Sequence, residues 1–588
     1  MSEDAPVNTG AAVVWPDDYS AYLAVRRMQT KLHRWAGEDA SRRFGDLHNL
    51  IYDPAFLVHA WERVSSNAGA RTPGVDKATV AWIEARIGVV TFLGRIRDSL
   101  KAGEFQSVHV RQVMIPKASG KLRKLGIPTV ADRVVQTSLK LVLEPIFEAD
   151  FLPCSYGFRP NRRTHDAIAE IHHLASEPIN YRWVLEADIA ACFDEIGHTP
   201  LLGRIRRRIK DKRVCALVKA FLKAGVMTTT GDREETITGT PQGGPLSPLL
   251  ANIALSELDE HFHRQWQQEM GTQSQRAKRI RNGLGNWRLI RFADDFVIMV
   301  SGKRSHAEAL REEVAAVLAP LGLRLSPEKT RVVHIDEGFD FLGMHIRRQR
   351  KRGTQKYYVY TKPSRKAIQA IKDKVKARTY RSTRHMGLDE VITSLNRLLA
   401  GWANYFRHGV SKDVFNAIDS HAWSRLMRWI RAKYQGKNRL GMKELRRRFC
   451  DKGWRFACNG VVFTGASSVA VTRYRYRGSK IPTPWTPDPA TAACGSTGGT
   501  ARGEPVALRG ARRVRRAGRG NGLVARPAPR PGPTLRGAEA PGGTGCPRSK
   551  RRRPKGNRKP APLCPVLPPG GAAQLAGYRA WCPGAKAR

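Results

Sequence analysis

Residues 286–300 read NWRLIRFADDFVIMV, two apolar runs on either side of Ala293, Asp294 and Asp295. Trp, Phe, Ile and Val favour the packed, pleated surface of a sheet, and Asp is at home in tight turns because its side chain bonds nearby backbone. The stretch therefore predicts a β-hairpin with acids at its turn. On its own such a pair is most often a surface turn. The apolar runs set this one apart, because carboxylates clamped between buried strands need a compensating cation.

Working outward, residues 181–189, YRWVLEADI, form a second strand-like run that delivers Asp188, followed at once by AACFDEI at 190–196. An acid here can also cap the next helix, a role that suits Asp194. If the two strands are neighbours in one sheet, Asp188 joins Asp294 and Asp295 in a carboxylate cluster suited to hard divalent cations with oxygen ligands. Such a cluster fits phosphoryl transfer, in which one cation activates a hydroxyl and another neutralises phosphate charge.

FADDF at 292–296 resembles the [YF]-x-D-D hairpin of reverse transcriptases. Asp188 with Phe193 resembles the palm strand that precedes it, and GTPQGGPLSPLLANIALSELD at 239–259 resembles the template and nucleotide contact segment. The stretch from Arg111 to Ile168, with LSPEKT at 325–330, FDFLGMHI at 339–346 and LNRLLAGWANYFRHG at 395–409, is similar to group II intron reverse transcriptases and maturases. Phe292 stands where Tyr is commoner and Lys124 where a proline is often found. Cys450 and Cys458 are too far apart for a zinc knuckle, so an endonuclease module is not expected.

The resemblance implies roles. Asp188 and Asp294 are the principal metal ligands, Asp295 is an additional ligand or electrostatic partner, and the backbone carbonyl of Ile189 is a further ligand. Lys117 and Arg123 hold the incoming triphosphate. Phe193 lies beneath the sugar and rejects a 2′-hydroxyl, Gln242 and Gly243 shape the nucleotide pocket, and Lys329 protonates departing pyrophosphate or sits at a helix end in solvent. Two Mg2+ ions are expected, with Mn2+ able to substitute. The implied partners are group II intron RNA, an RNA template with a DNA primer, dNTPs and target DNA. Two alternatives remain: an RNA-binding splicing cofactor with a silent polymerase site, and a reverse transcriptase of a diversity-generating or defence system.

Composition agrees with a polyanionic partner. The 588 residues hold 102 Lys and Arg against 51 Asp and Glu, a net charge of +51, and nucleic acid is the default partner of so basic a chain. RIRRRIKDKR at 204–213, RAKRIRNG at 276–283 and HIRRQRKRGTQK at 345–356 are candidate phosphate contacts outside the active site. Trp402, Tyr405 and Phe406 are candidate stacking residues, although their helical spacing suits a core at least as well. The nine scattered cysteines form no CxxC pair and are read as reduced thiols. No run approaches the length of a membrane span, so no membrane partner is expected. The expected location is the cytoplasm, with nucleoid association during action on DNA.

The fold class expected is α/β: a right-hand polymerase with fingers and palm, then an all-α thumb or maturase domain and a disordered basic tail. The boundaries drawn are a helical extension at 1–74, fingers and palm at 75–346, a helical RNA-binding thumb at 347–485, and a Pro/Gly/Arg-rich tail at 486–588.

Overall fold

The computed structural model describes residues 13–116, 122–228, 232–235, 238–240, 243–434, 441–451, 454–478 and 481–486. The expectations on Lys117, on Gln242 and on the tail beyond Thr486 lie outside these residues.

Helix α1 (Asp18–Glu38) starts where Asp17 accepts the N–H groups of Tyr19 and Ser20, both at 2.9 Å. Its buried stripe, Ala21, Val25, Gln29, Leu32 and Ala36, recurs at helical spacing. Helix α2 (Pro54–Ser65) has proline in its first turn and buries Phe56, Leu57, Ala60, Trp61 and Val64. The fingers hairpin follows, with β1 (Val110–Pro116) antiparallel to β2 (Leu122–Ile127) and Ile115 opposite Arg123. Helix α3 (Val130–Asp150) is buried nearly all round, with Val134, Val135, Leu143 and Ile146 wholly enclosed, and so forms the centre of the core. The helical leader shares one continuous core with this helix and with palm residues such as Leu185 and Phe296.

The first turn of α3 holds Asp132, 1% exposed, whose Oδ2 accepts the Thr129 hydroxyl at 2.7 Å. Burial pushes its carboxyl up to about 6. A carboxyl raised above its unfolded value favours folding while protonated, and that contribution is lost as pH rises from about 4 to about 6. The helix dipole offsets part of the penalty, leaving about 1–3 kcal/mol. Asp132→Asn keeps an acceptor for Thr129 and removes the charge. It is expected to unfold at a higher temperature than wild type at pH 8, with the advantage vanishing towards pH 4. Thermal melts followed by circular dichroism check this, and a difference independent of pH contradicts it.

After helix α4 (Thr164–Ala175) comes the palm sheet. Its strands are β3 (Trp183–Asp188), β4 (Asn286–Phe292), β5 (Asp295–Ser301) and β6 (Arg331–His334), in the order β4-β5-β3-β6 with every neighbour antiparallel. Successive side chains of a strand face opposite ways. Phe296, Ile298 and Val300 of β5 join the core that includes α3, α5 (Ser247–Glu269) and α6 (Arg304–Leu318), whereas Val297 and Met299 join a second core shared with the C-terminal helices. Both faces are covered, which is why FVIMV reads as a continuous apolar run.

The second core is completed by β7 (Phe339–Phe341), β8 (Met344–Arg350) and β9 (Tyr357–Pro363), an antiparallel sheet in the order β9-β8-β7. Helices α7 (Arg365–Arg378), α8 (Leu388–Phe406) and α9 (Lys412–Tyr434) follow. The boundary drawn at 346/347 thus falls inside β8, and the helices begin at Arg365. The strand escaped notice because Arg347, Arg348 and Arg350 interrupt its apolar alternation. Phe406 is 4% exposed, Trp402 and Tyr405 pack half-buried against the same core, and the Tyr405 hydroxyl donates to Leu342 O at 2.7 Å. Of the two readings of this aromatic cluster, the core is the one observed. Beyond the helices the chain returns to α1, where Trp485 Nε1 donates to Gln29 Oε1 at 3.2 Å. No helix of the described residues is long and apolar enough to cross a membrane.

Candidate active site

The last pair of the β4–β5 hairpin is Phe292 with Asp295, leaving Ala293 and Asp294 as its two-residue loop. Ala293 has a φ of 59°, a left-handed conformation that matches the twist of a tight hairpin but disfavours any residue with a Cβ. On the other edge of β5, Asp188 lies directly opposite Asp295, so their side chains share a face with Cβ atoms about 5 Å apart. Asp294 stands at the turn beside them.

Like charges this close are unfavourable without a cation. Burial pushes the Asp294 carboxyl up, and the charge of Asp188 adds to that shift. Lys329 answers part of the repulsion, donating from Nζ to Asp188 Oδ2 at 2.6 Å. Burial opposes the ammonium, but the hydrogen bond and charge of Asp188 outweigh it and hold the Lys329 pKa above its usual value. Lys329 lies in a turn, its N–H bonded to Ser326 O at 3.2 Å, and not at a helix end.

Beneath the loop is a feature that reading the sequence missed. Arg291 of β4 is fully buried, and both its Nε and Nη2 donate to Asp259 of α5, at 2.8 and 2.5 Å. Its Nη1 reaches Asn252 Oδ1 at 3.0 Å and Ala293 O at 2.9 Å, and its Nη2 also reaches Ser155 Oγ at 2.8 Å. Asn252 in turn donates to Gly157 O at 2.8 Å. One guanidinium thus ties the strained loop to α5 and to the 155–157 segment. The available signal was an arginine between Ile290 and Phe292 in an otherwise apolar strand.

Gly157 packs directly on the loop: a Cβ there would lie 2.8 Å from Phe292 C and closer still to Ala293 N. Both atoms are backbone, so the hairpin would have to move. Misplacement of reacting groups by about 1 Å costs roughly 10²-fold in rate. Gly157→Ala is expected to lower primer extension on that scale while leaving RNA affinity within about twofold, as parallel extension and binding assays on one preparation would show.

The other expected residues gather around this centre in part. Phe193, in the short helix Cys192–Glu195, is half-buried, and its carbonyl accepts the N–H of Thr240 at 2.6 Å, which brings Thr240 to it. Gly243 has a φ of 130°, and a Cβ there would meet Leu125 Cδ1 at 3.2 Å and Gly126 O closer still, so it lies against β2. Arg123 of the same strand is exposed, and its charge lowers the Asp294 pKa. Ala190 N donates to Arg324 O at 2.9 Å and Ser326 N to Asp188 O at 2.8 Å. By strand alternation the carbonyl of Ile189 faces the opposite edge, towards the hairpin. Asp194 does not cap a helix: Ala191 is the N-cap of the short helix that contains it, and Gly197 that of the next, His198–Arg208.

Among the described residues no three His, Cys, Asp or Glu side chains form a ready-made metal site. The carboxylates nevertheless fit a divalent cation. They crowd negative charge at a half-buried point, and a lysine ammonium already sits on one of them as a stand-in. Hard cations accept carboxylate, carbonyl, water and phosphate oxygens together, so a substrate can complete the set.

A covered antiparallel sheet that presents carboxylates at a hairpin turn, with a fingers hairpin and a glycine-rich segment beside it, defines a nucleotidyl-transferring polymerase of the right-hand class. The reverse transcriptase (RNA-dependent DNA polymerase) family model matches residues 115–346, and that of the group II intron maturase-specific domain matches residues 368–449. Protein YkfC of Escherichia coli is 39% identical over 364 residues, which cover 59% of this chain and 94% of the relative. The group II intron-encoded protein LtrA of Lactococcus lactis is 33% identical over 365 residues, 54% of this chain and 59% of LtrA. Nuclear intron maturase 1 of Arabidopsis thaliana is 25% identical over 300 residues, 38% of this chain and 42% of the relative. The chain belongs to the group II intron reverse transcriptase and maturase family. Enzymes with this polymerase domain depend on divalent metal ions.

Proposed function

We propose that this protein is an active RNA-directed DNA polymerase that also binds the group II intron RNA encoding it and promotes its splicing. The observation that carries the polymerase reading is the register of Asp188 opposite Asp295, with Asp294 at the adjoining turn. Asp188 and Asp294 would hold Mg2+, with Asp295 and the Ile189 carbonyl in support. Bound there, the metal would supply Lewis-acid activation of the primer hydroxyl and charge neutralisation on the phosphates.

The remaining work falls to the chain itself. Arg123 carries positive charge towards the triphosphate. Phe193, backed by the core and bonded to Thr240, forms the floor against which a 2′-hydroxyl would collide. Lys329, already charged and in contact with Asp188, is placed to give a proton to pyrophosphate as it leaves. The Arg291 network fixes the hairpin beforehand, so that no reorganisation is needed during reaction.

The maturase domain at 368–449 favours an intron-encoded protein over a diversity-generating or defence enzyme. The proposed substrates are an RNA template with a DNA primer, dNTPs and target DNA. Splicing is tested by incubating intron RNA with its flanking exons, with and without the protein, at a magnesium concentration too low for the RNA to splice alone. Joined exons only in the presence of protein are expected, and equal splicing in both reactions removes the maturase half of the proposal.

A further inference from the structure

The outer face of the β8–β9 hairpin contributes no residue to the carboxylate site described above. Between Asp340 and Asp373 the chain has ten Lys and Arg and no acidic residue. The hairpin pairs in register from Met344 opposite Pro363 to Arg350 opposite Tyr357. Its inner face, Met344, Ile346, Val359, Thr361 and Pro363, is buried, and Met344, Ile346 and Val359 belong to the second core. That packing makes the strands rigid. The opposite face presents Tyr358 and Tyr360, with Arg347 directly across from Tyr360 and Lys362 next along the strand.

Tyr358 is 47% exposed, a large apolar ring left in solvent on a rigid sheet. Lys351 lies 5.9 Å from its ring centre and Lys362 lies 5.5 Å from that of Tyr360. Residues two apart on one strand put their side chains on the same face about 6.6–6.8 Å apart, which suits two unstacked bases with room between them. Among the described residues Arg347 donates from Nε to the Asp336 carbonyl, at 2.8 Å, a bond that does not neutralise its charge. Aromatic rings on a sheet face flanked by cations are the arrangement that stacks bases of single strands while holding their phosphates. A duplex hides its base faces and gains only the cations.

We infer that the outer face of β8–β9 is a binding platform for unpaired RNA, with Tyr358 and Tyr360 stacking on bases and Arg347 and Lys362 on the adjoining phosphates. The inference rests on the proposed RNA-binding role, not on polymerisation, and stands even if the chain fails to extend a primer.

The test uses the full chain and two labelled probes at fixed salt, an unstructured RNA oligonucleotide and a blunt RNA duplex of equal length. Tyr358→Ala with Tyr360→Ala is expected to weaken single-strand affinity by at least about tenfold and duplex affinity by less than about twofold. The double Tyr→Phe variant is expected to bind both probes as wild type does. Arg347→Gln is expected to weaken both probes and to lower the salt dependence by about one ion. RNA bearing 5-iodouridine is expected to crosslink to the peptide that contains Tyr358. Unchanged single-strand affinity, equal loss on both probes, or crosslinks confined to other peptides overturn the inference. Equal melting temperatures of the variants establish that they are folded. A loss confined to a third probe, an RNA template with an annealed DNA primer, also overturns it, by assigning the face to the primer duplex.

Discussion

Arg291→Leu is expected to destabilise the folded protein by about 3–5 kcal/mol, the range for removing one partner of a fully buried ion pair. The reason is geometric. Arg291 and Asp259 are both 0% exposed, and losing the guanidinium strands the Asp259 carboxylate in the core together with Asn252 Oδ1 and Ala293 O. Ala293 also loses the contact that helps to hold its left-handed backbone. Denaturant unfolding of the single variant, of Asp259→Leu and of the double variant checks this. The double variant is expected to be much less destabilised than the sum of the two singles, since it leaves no unpaired buried charge. A single-variant cost below about 1 kcal/mol contradicts the account.

Asp294→Asn is expected to lower nucleotide incorporation by on the order of 10³-fold or more, the effect of losing several kcal/mol of metal-based charge stabilisation in the transition state. The same change is expected to raise the melting temperature of the metal-free protein at pH 8. The sign follows from the environment. Burial and the Asp188 charge raise the Asp294 pKa, so its ionised form opposes folding, and that opposition grows as pH rises through the raised value. Activity and stability should therefore move in opposite directions. Primer extension together with thermal melts at pH 5 and pH 8 measures both, and a parallel fall in the two would assign Asp294 a structural role instead.

Local pattern explains what could be read ahead of the structure. The β4–β5 hairpin was legible because its apolar runs and acidic turn are contiguous, and Asp188 because it ends another apolar run. Their convergence remained conditional, since strand order is a tertiary fact; the pairing of Asp188 with Asp295 meets that condition. The Arg291 network was not legible. Its partners Ser155, Asn252 and Asp259 come from a loop and a helix far away in sequence, and a charged residue in a strand gives no sign of where its partner lies. The β8–β9 hairpin was hidden for a different reason: its arginines suggested a solvated basic stretch, and only the burial of Ile346, Val359 and Thr361 reveals a sheet with one closed face. Asp194 shows the limit of capping arguments, because the backbone turns at Ala191, three residues before it.

The most direct test of the central claim is incorporation of dNTPs by the wild-type protein on an RNA template with an annealed DNA primer, across a titration of Mg2+ and with a chelator control. The account predicts extension that requires the metal, strongly prefers dNTPs over rNTPs, and stops in the chelator. Folded, RNA-binding protein that extends no primer at any Mg2+ or Mn2+ concentration would contradict it and leave the chain an RNA-binding splicing cofactor.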